Sequence, residues 1–387
     1  MHNPRINPQH AKPERAKQMP ATVALGRGHR MAYQTLGQPG AEAWLVLHGG
    51  PGSGAQASMA RSFPASRKLW LILPDQRGAG LSWPRAGLAG QSLPALAEDL
   101  ERLRTHLGIA RWNVLGGSWG ATLALAYAAR YPHAVLRLVM RGFFDGSSRE
   151  VSSLFRRFWP GVSQRCTESF SGISAVNLSR VRPSNARAQM RTLSQVFRRG
   201  APAVTAWNTA RLWDITELRA ALHGQHRALL HSLGALAADD PARTGLAVAQ
   251  RRLWSGLQRQ MRKTARQGRS GTWPIVPGQL ATSRQRRDAA RWQKFRIQGH
   301  WLARLSGQGN LPPGELARCL ARVAEAGITT DWVHGNADAI CRPARSRQGH
   351  QSLLARGADS RLHLTRAGHL GTEPDTERLL RQLTAPR

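Results

Sequence analysis

The sequence predicts an α/β fold: a mostly parallel sheet flanked by helices and interrupted by a helical insertion. Two observations carry this. Short apolar runs alternate with helix-patterned segments up to about residue 145, and the same alternation returns near the end of the chain. A third observation, the loss of strand alternation between about 145 and 325, sets the insertion.

Taken in order, AWLVLH at 43–48, LWLILP at 69–74, WNVL at 112–115 and VLRLVM at 135–140 are apolar runs bounded by Gly, Pro or charge. Continuous rather than alternating apolarity marks strands buried on both faces, as parallel strands are. Between the second and third lies SLPALAEDLERLRTHLG, apolar at helical spacing and stopped by Gly108. ATLALAYAARYP reads as a helix ended by Pro132. ITTDWVHG and SRLHLT supply two late strands. The resulting division is a basic N-terminal segment at 1–20 expected to lack structure, a first core part at 21–145, a helical cap at 146–325 and a second core part at 326–387. Within the cap, RRLWSGLQRQMRKTARQGRSGTWP predicts an exposed basic helix followed by a loop.

Composition restricts the function classes. The 387 residues carry 56 Lys and Arg against 22 Asp and Glu, a formal charge of +34. Such an excess raises polyanion binding as a hypothesis. Lysine is confined to Lys12, Lys17, Lys68, Lys263 and Lys294, however, while Arg and Ala abound, a skew that coding bias explains as well as a phosphate groove does. No zinc-finger spacing, RNP motif or basic zipper accompanies the charge, so no specific nucleic-acid partner is expected. No apolar run reaches transmembrane length, and the opening residues lack the apolar middle of a secretory signal. Cys166, Cys319 and Cys341 form neither a metal-ligand pattern nor a disulfide framework. A cytoplasmic protein without metal or organic cofactor is the expectation.

The chemistry sits at Gly116-Gly117-Ser118-Trp119-Gly120, a G-x-S-x-G between a predicted strand and a predicted helix. A serine there can be a mere helix cap. The same context is that of a nucleophile elbow, where the hydroxyl projects from the sheet end and glycines let strand and helix close up. Serine needs a base and an orienting carboxylate to attack a carbonyl. In elbow hydrolases the chain order is Ser, acid, His, and the tail supplies Asp338 in VHGNADAICRP and His369 in TRAGHLGTEP, each just after a strand. His363 is a rival base, but it lies inside its strand. Oxyanion donors are expected from the Trp119 backbone N–H and from the His48-Gly49-Gly50-Pro51-Gly52 loop, with Gly50 preferred and Gly49 its rival.

These residues resemble the proline iminopeptidase family of the α/β-hydrolase superfamily. HGGPG at 48–52, DQRGAGLS at 75–82, GGSWGATLALAYAARYP at 116–132, MRGFF at 140–144, HGNADAIC at 334–341 and AGH at 367–369 match its motifs in order. The resemblance covers 21–145 and 325–375. It implies the α/β-hydrolase fold with a helical cap, a Ser118–Asp338–His369 triad, a cis Gly50–Pro51 bond and removal of an N-terminal residue, usually proline, from peptides. It also implies that Asp75-Gln76-Arg77-Gly78 braces the site rather than reacts.

Family caps grip the substrate's free amine with carboxylates. FRIQGHWL at 295–302 resembles the cap motif R-I-E-x-H-Y-F with Gln298 for the glutamate, and RLWD at 211–214 resembles a motif ending W-E with Asp214 for the glutamate. Gln298 and Asp214 are therefore the candidate substrate-binding residues, and the missing charge at 298 predicts weaker grip on an ammonium. Ala79 and Leu81 also stand where Cys and Arg are common, and the basic stretch from 215 to 290 exceeds the usual cap. The alternative reading is an esterase or amidase acting on small uncharged acyl compounds. A third, from another class, is a non-catalytic basic polyanion-binding protein.

Overall fold

The computed structural model describes residues 20–153, 186–197, 203–269, 283–308 and 314–386. Most of the N-terminal basic segment, Cys166 and the loop expected after the basic helix lie outside them. Eight strands form one sheet in the order β1-β2-β4-β3-β5-β6-β7-β8. They are β1 (Ala21–Gly26), β2 (His29–Gly37), β3 (Glu42–Leu47), β4 (Leu69–Pro74), β5 (Trp112–Gly117), β6 (Val135–Arg141), β7 (Thr329–Gly335) and β8 (Ser360–Thr365). From β4 to β8 every pairing is parallel, and β2 joins β1 and β4 antiparallel.

The four strands read as continuous apolar runs and the two late strands are all present, and the physical reason is visible in β3 and β4. Successive side chains point to opposite faces. Leu45, Leu47, Trp70 and Ile72 enter one core, while Trp44, Val46, Leu71 and Leu73 enter the other. The β1–β2 hairpin is a departure from the sequence reading, which began its strands at 43. Its edge position exposes alternate residues, so Val23 and Leu25 are buried between exposed neighbours. The turn needs left-handed backbone at Gly26, Arg27 and Gly28.

Helices α1 (Leu93–His106) and α2 (Trp119–Arg130) cover the first face with the later helix α7 (Glu315–Glu325). Ser92 caps α1 by accepting the Ala95 N–H at 3.3 Å. The second face is covered by the helix α9 (Pro374–Leu383) and a 3₁₀ turn at Ala57–Ser62, which bring Leu380 and Phe63 onto Trp44 and Leu71. The helix α8 (Pro343–Leu354) links β7 to β8.

Between β6 and β7 the described residues include the helices α3 (Ala186–Val196), α4 (Ala203–Gly234), α5 (Pro241–Arg269) and α6 (Ser283–Gln308). Trp213 of α4 and Phe295 of α6 stack at 4.9 Å and are fully buried. Helix α6 seats this layer on the sheet domain. Trp301 donates to Gln91 Oε1 at 2.9 Å and packs 4.5 Å from the Trp119 ring, and Gln293 donates to the carbonyls of Gly78 and Gly80. α4 and α6 are thereby held above the carboxyl ends of the parallel strands, where open α/β sheets place their ligands.

Candidate active site

Ser118 occupies the turn from β5 to α2 with φ 56° and ψ −122°. That backbone is strained for a residue with a Cβ, costing of order 1–3 kcal/mol. Its neighbours explain how the turn is built. A Cβ on Gly116 would lie 2.2 Å from the Gly120 carbonyl oxygen, and one on Gly120 would lie 2.4 Å from the Leu47 carbonyl oxygen. Glycine at both positions is thus required by the close approach of strand and helix.

Asp338 and His369 follow β7 and β8, and the structure brings them together. His369 Nδ1 lies 2.7 Å from Asp338 Oδ2, an ion pair when the imidazole is charged. The other Asp338 oxygen accepts the N–H groups of Ile340 and Cys341 at 2.8 and 2.9 Å. Burial alone would raise the Asp338 carboxyl, but the charge of His369 and the hydrogen bonds from His334 and His369 outweigh it, so the group lies far below the ordinary carboxylate range. His363 goes elsewhere: its Nε2 is 2.9 Å from Asp331, which also binds Arg137. Ser118 and His369 line one cavity of about 570 Å³, shared with Gly49, Gly50, Asp214, Glu217, Lys294 and Gln298. The Ser118 hydroxyl stands 3.9 Å from the Cys341 sulfur. Burial pushes the Cys341 thiol well up, which keeps it neutral and useless as a base.

The glycine loop is fixed from beneath. Gln76 N–H donates to His48 Nε2 at 3.0 Å, so Nδ1 carries the proton and donates to the Gly49 carbonyl at 2.9 Å. The Gln76 amide donates to the His48 carbonyl and accepts from the Trp119 indole. Asp75 accepts the N–H groups of Ala55 and Leu81, and Arg77 pairs with Asp99 at 2.6 Å. The Gly50–Pro51 bond is cis, and Gly50 has φ 116°, open to glycine alone. The Trp119 N–H opens α2, where helix amides favour negative charge.

Two residues around His369 hold its loop in place, and the sequence reading assigned neither a role, although Arg141 lies in the MRGFF motif. Glu373, 3% exposed, accepts the N–H of Gly368 at 2.7 Å and of Leu370 at 2.9 Å, gripping the chain on both sides of the imidazole. Arg141 donates to the His369 carbonyl. Burial lowers the Arg141 guanidinium, and the Asp338 carboxylate offsets part of that.

The cap places Gln298 and Asp214 on the cavity wall, together with Glu217, a carboxylate the sequence reading missed. Gln298 donates its amide to Glu217 Oε1, which also accepts the Trp213 indole N–H at 3.1 Å. Glu217 Oε2 is 2.7 Å from Lys294 Nζ, and Asp214 pairs with Arg291 at 2.8 Å. The available signal was spacing: Asp214 and Glu217 are three apart on α4, Lys294 and Gln298 four apart on α6, so each pair shares a face. Among the described residues no cluster of three His, Cys, Asp or Glu side chains is placed to hold a metal, and no helix is long and apolar enough to cross a membrane.

Residues 44–177 match the family model for the alpha/beta hydrolase fold. A putative aryl esterase from Burkholderia cenocepacia superposes with a TM-score of 0.51 at 16% identity, covering 94% of this chain and 96% of that one, which bears on the fold alone. The chain is an α/β-hydrolase in fold. Within that class its sequence is similar to proline iminopeptidases. Over 122 residues it is 49% identical to the proline iminopeptidase of Xylella fastidiosa (strain 9a5c), covering 32% of this chain and 39% of that protein. Over 199 residues it is 39% identical to the probable proline iminopeptidase of Streptomyces coelicolor, covering 49% of this chain and 60% of that protein. The matches thus span about two fifths to three fifths of these two relatives.

Proposed function

We propose that this chain is a serine hydrolase that releases an N-terminal residue, preferably proline, from peptides in the cytoplasm, without a cofactor. Ser118 attacks the carbonyl of the first residue, His369 takes its proton and returns it to the departing amine, and Asp338 orients the imidazole. The amides of Gly50 and Trp119 hold the oxyanion. Water then attacks the acyl-enzyme with His369 again acting as base. Gln298 and Asp214 lie on the wall that the substrate's first residue meets.

The observation that carries the reading is the strained Ser118 at a strand–helix turn, opening into the cavity that also holds a carboxylate-bound His369. Similarity of the core to the proline iminopeptidases supports the substrate class. A fluorophosphonate probe tests it: wild-type protein is labelled, Ser118→Ala is not, and proline p-nitroanilide is turned over only by the former. Labelling that survives Ser118→Ala refutes the assignment.

A further inference from the structure

Glu217 is the carboxylate of the cavity wall whose valences are most completely used. Oε1 accepts two N–H donors, from Trp213 and Gln298, and Oε2 receives the Lys294 ammonium. The Glu217 and Lys294 side chains are 18% and 20% exposed, so the pair is substantially shielded yet still borders the space that Ser118 lines. Lys294 is held on one further side by the Phe295 ring, whose centroid is 4.5 Å from Nζ. Burial disfavours the Lys294 charge, while Glu217 and Asp214 favour it more strongly, so the side chain stays an ammonium. The wall therefore presents a carboxylate preorganised by two fixed donors and closed by a tethered alkylammonium.

We infer that Lys294 is a built-in stand-in for the substrate's amine: it neutralises Glu217 in the free protein, and a free N-terminus binds by displacing it. This rests on the aminopeptidase reading above. The physical ground is that a carboxylate out of bulk water is costly without a cation, and Lys294 supplies one. An incoming ammonium of the same charge gains Glu217 only by returning Lys294 Nζ to water, which the partial exposure of Lys294 permits. The exchange lowers affinity for free amines and leaves N-blocked groups untouched. Lys294 is in this sense a specificity-determining residue, and Glu217 its target.

Calorimetric titration with prolinamide and with N-acetylprolinamide, in a Ser118→Ala background that stops turnover, tests the exchange apart from catalysis. Lys294→Met is expected to tighten prolinamide binding about fivefold to tenfold, the scale of one partly buried charge pair, without tightening N-acetylprolinamide. Glu217→Gln, which keeps the side-chain shape, is expected to weaken prolinamide binding. Equal shifts for both ligands, no shift in Lys294→Met, or unweakened prolinamide binding in Glu217→Gln overturns the inference. If Lys294→Met fails to fold, Lys294→Gln, which removes the charge but keeps a polar side chain, is titrated in its place against the same two ligands. Loss of the aminopeptidase reading shows separately, as failure of the wild-type protein to turn over proline p-nitroanilide.

Discussion

The Glu373→Gln substitution tests how His369 is held in place. The Glu373 carboxylate accepts the two N–H groups that flank the imidazole, Gly368 through Oε2 and Leu370 through Oε1. Glutamine has one acceptor oxygen, so one of those amides must face an NH₂ group instead. A hydrogen bond to a charged acceptor contributes about 1.5–3 kcal/mol, and a buried donor left without a partner costs a similar amount. The variant should lose about 2–3 kcal/mol of stability, a large part of the ~5–15 kcal/mol typical of a domain, but remain folded.

Arg141 still holds the His369 carbonyl, so the loop loosens rather than leaves. A displacement near 1 Å at a reacting group costs on the order of 10²-fold in rate. Urea unfolding reads the first effect and steady-state hydrolysis of an activated p-nitrophenyl ester the second, with kcat expected to fall and KM nearly unchanged. Wild-type stability together with wild-type kcat would refute the clamp. A fall in stability with kcat intact would reduce Glu373 to a structural residue.

Two further outcomes follow from the close packing and from a buried histidine. Gly120→Ala puts a Cβ 2.4 Å from the Leu47 carbonyl oxygen and 2.8 Å from that of His48, both backbone atoms that cannot swing aside. It should cost at least about 1–3 kcal/mol and lower the melting temperature; an unchanged melting curve would contradict the tight strand–helix contact. His48 is buried, and that burial holds its pKa below the ordinary 6.5, since Nε2 must stay an acceptor for the Gln76 amide. The unfolded chain then binds a proton that the folded one refuses, so stability is full above about pH 6.5 and declines as pH falls below it. His48→Phe should remove up to about 1.4 kcal/mol per pH unit from that decline, and denaturant midpoints from pH 7.5 to 5.5 that keep the wild-type slope would count against it.

The sequence by itself determined the six parallel strands and the places where chemistry could lie. Apolar runs such as LWLILP have one physical meaning when both faces are buried, and G-x-S-x-G has one demanding geometry between a strand and a helix. It also ordered Ser118, Asp338 and His369 along the chain, because each follows a strand end that a parallel sheet collects on one edge. The β1–β2 hairpin was harder to read, since its edge position leaves only alternate residues such as Val23 and Leu25 buried. What joins Glu373 to the His369 loop, or Lys294 to Glu217, was not legible at all. The former is a carboxylate bonding backbone amides, which any nearby acid could do, and the latter spans 77 residues between two helices whose rotation the sequence leaves open. Tertiary structure decided these because a hydrogen bond or ion pair depends on distances of about 3 Å, whereas sequence periodicity fixes only which face a residue shares.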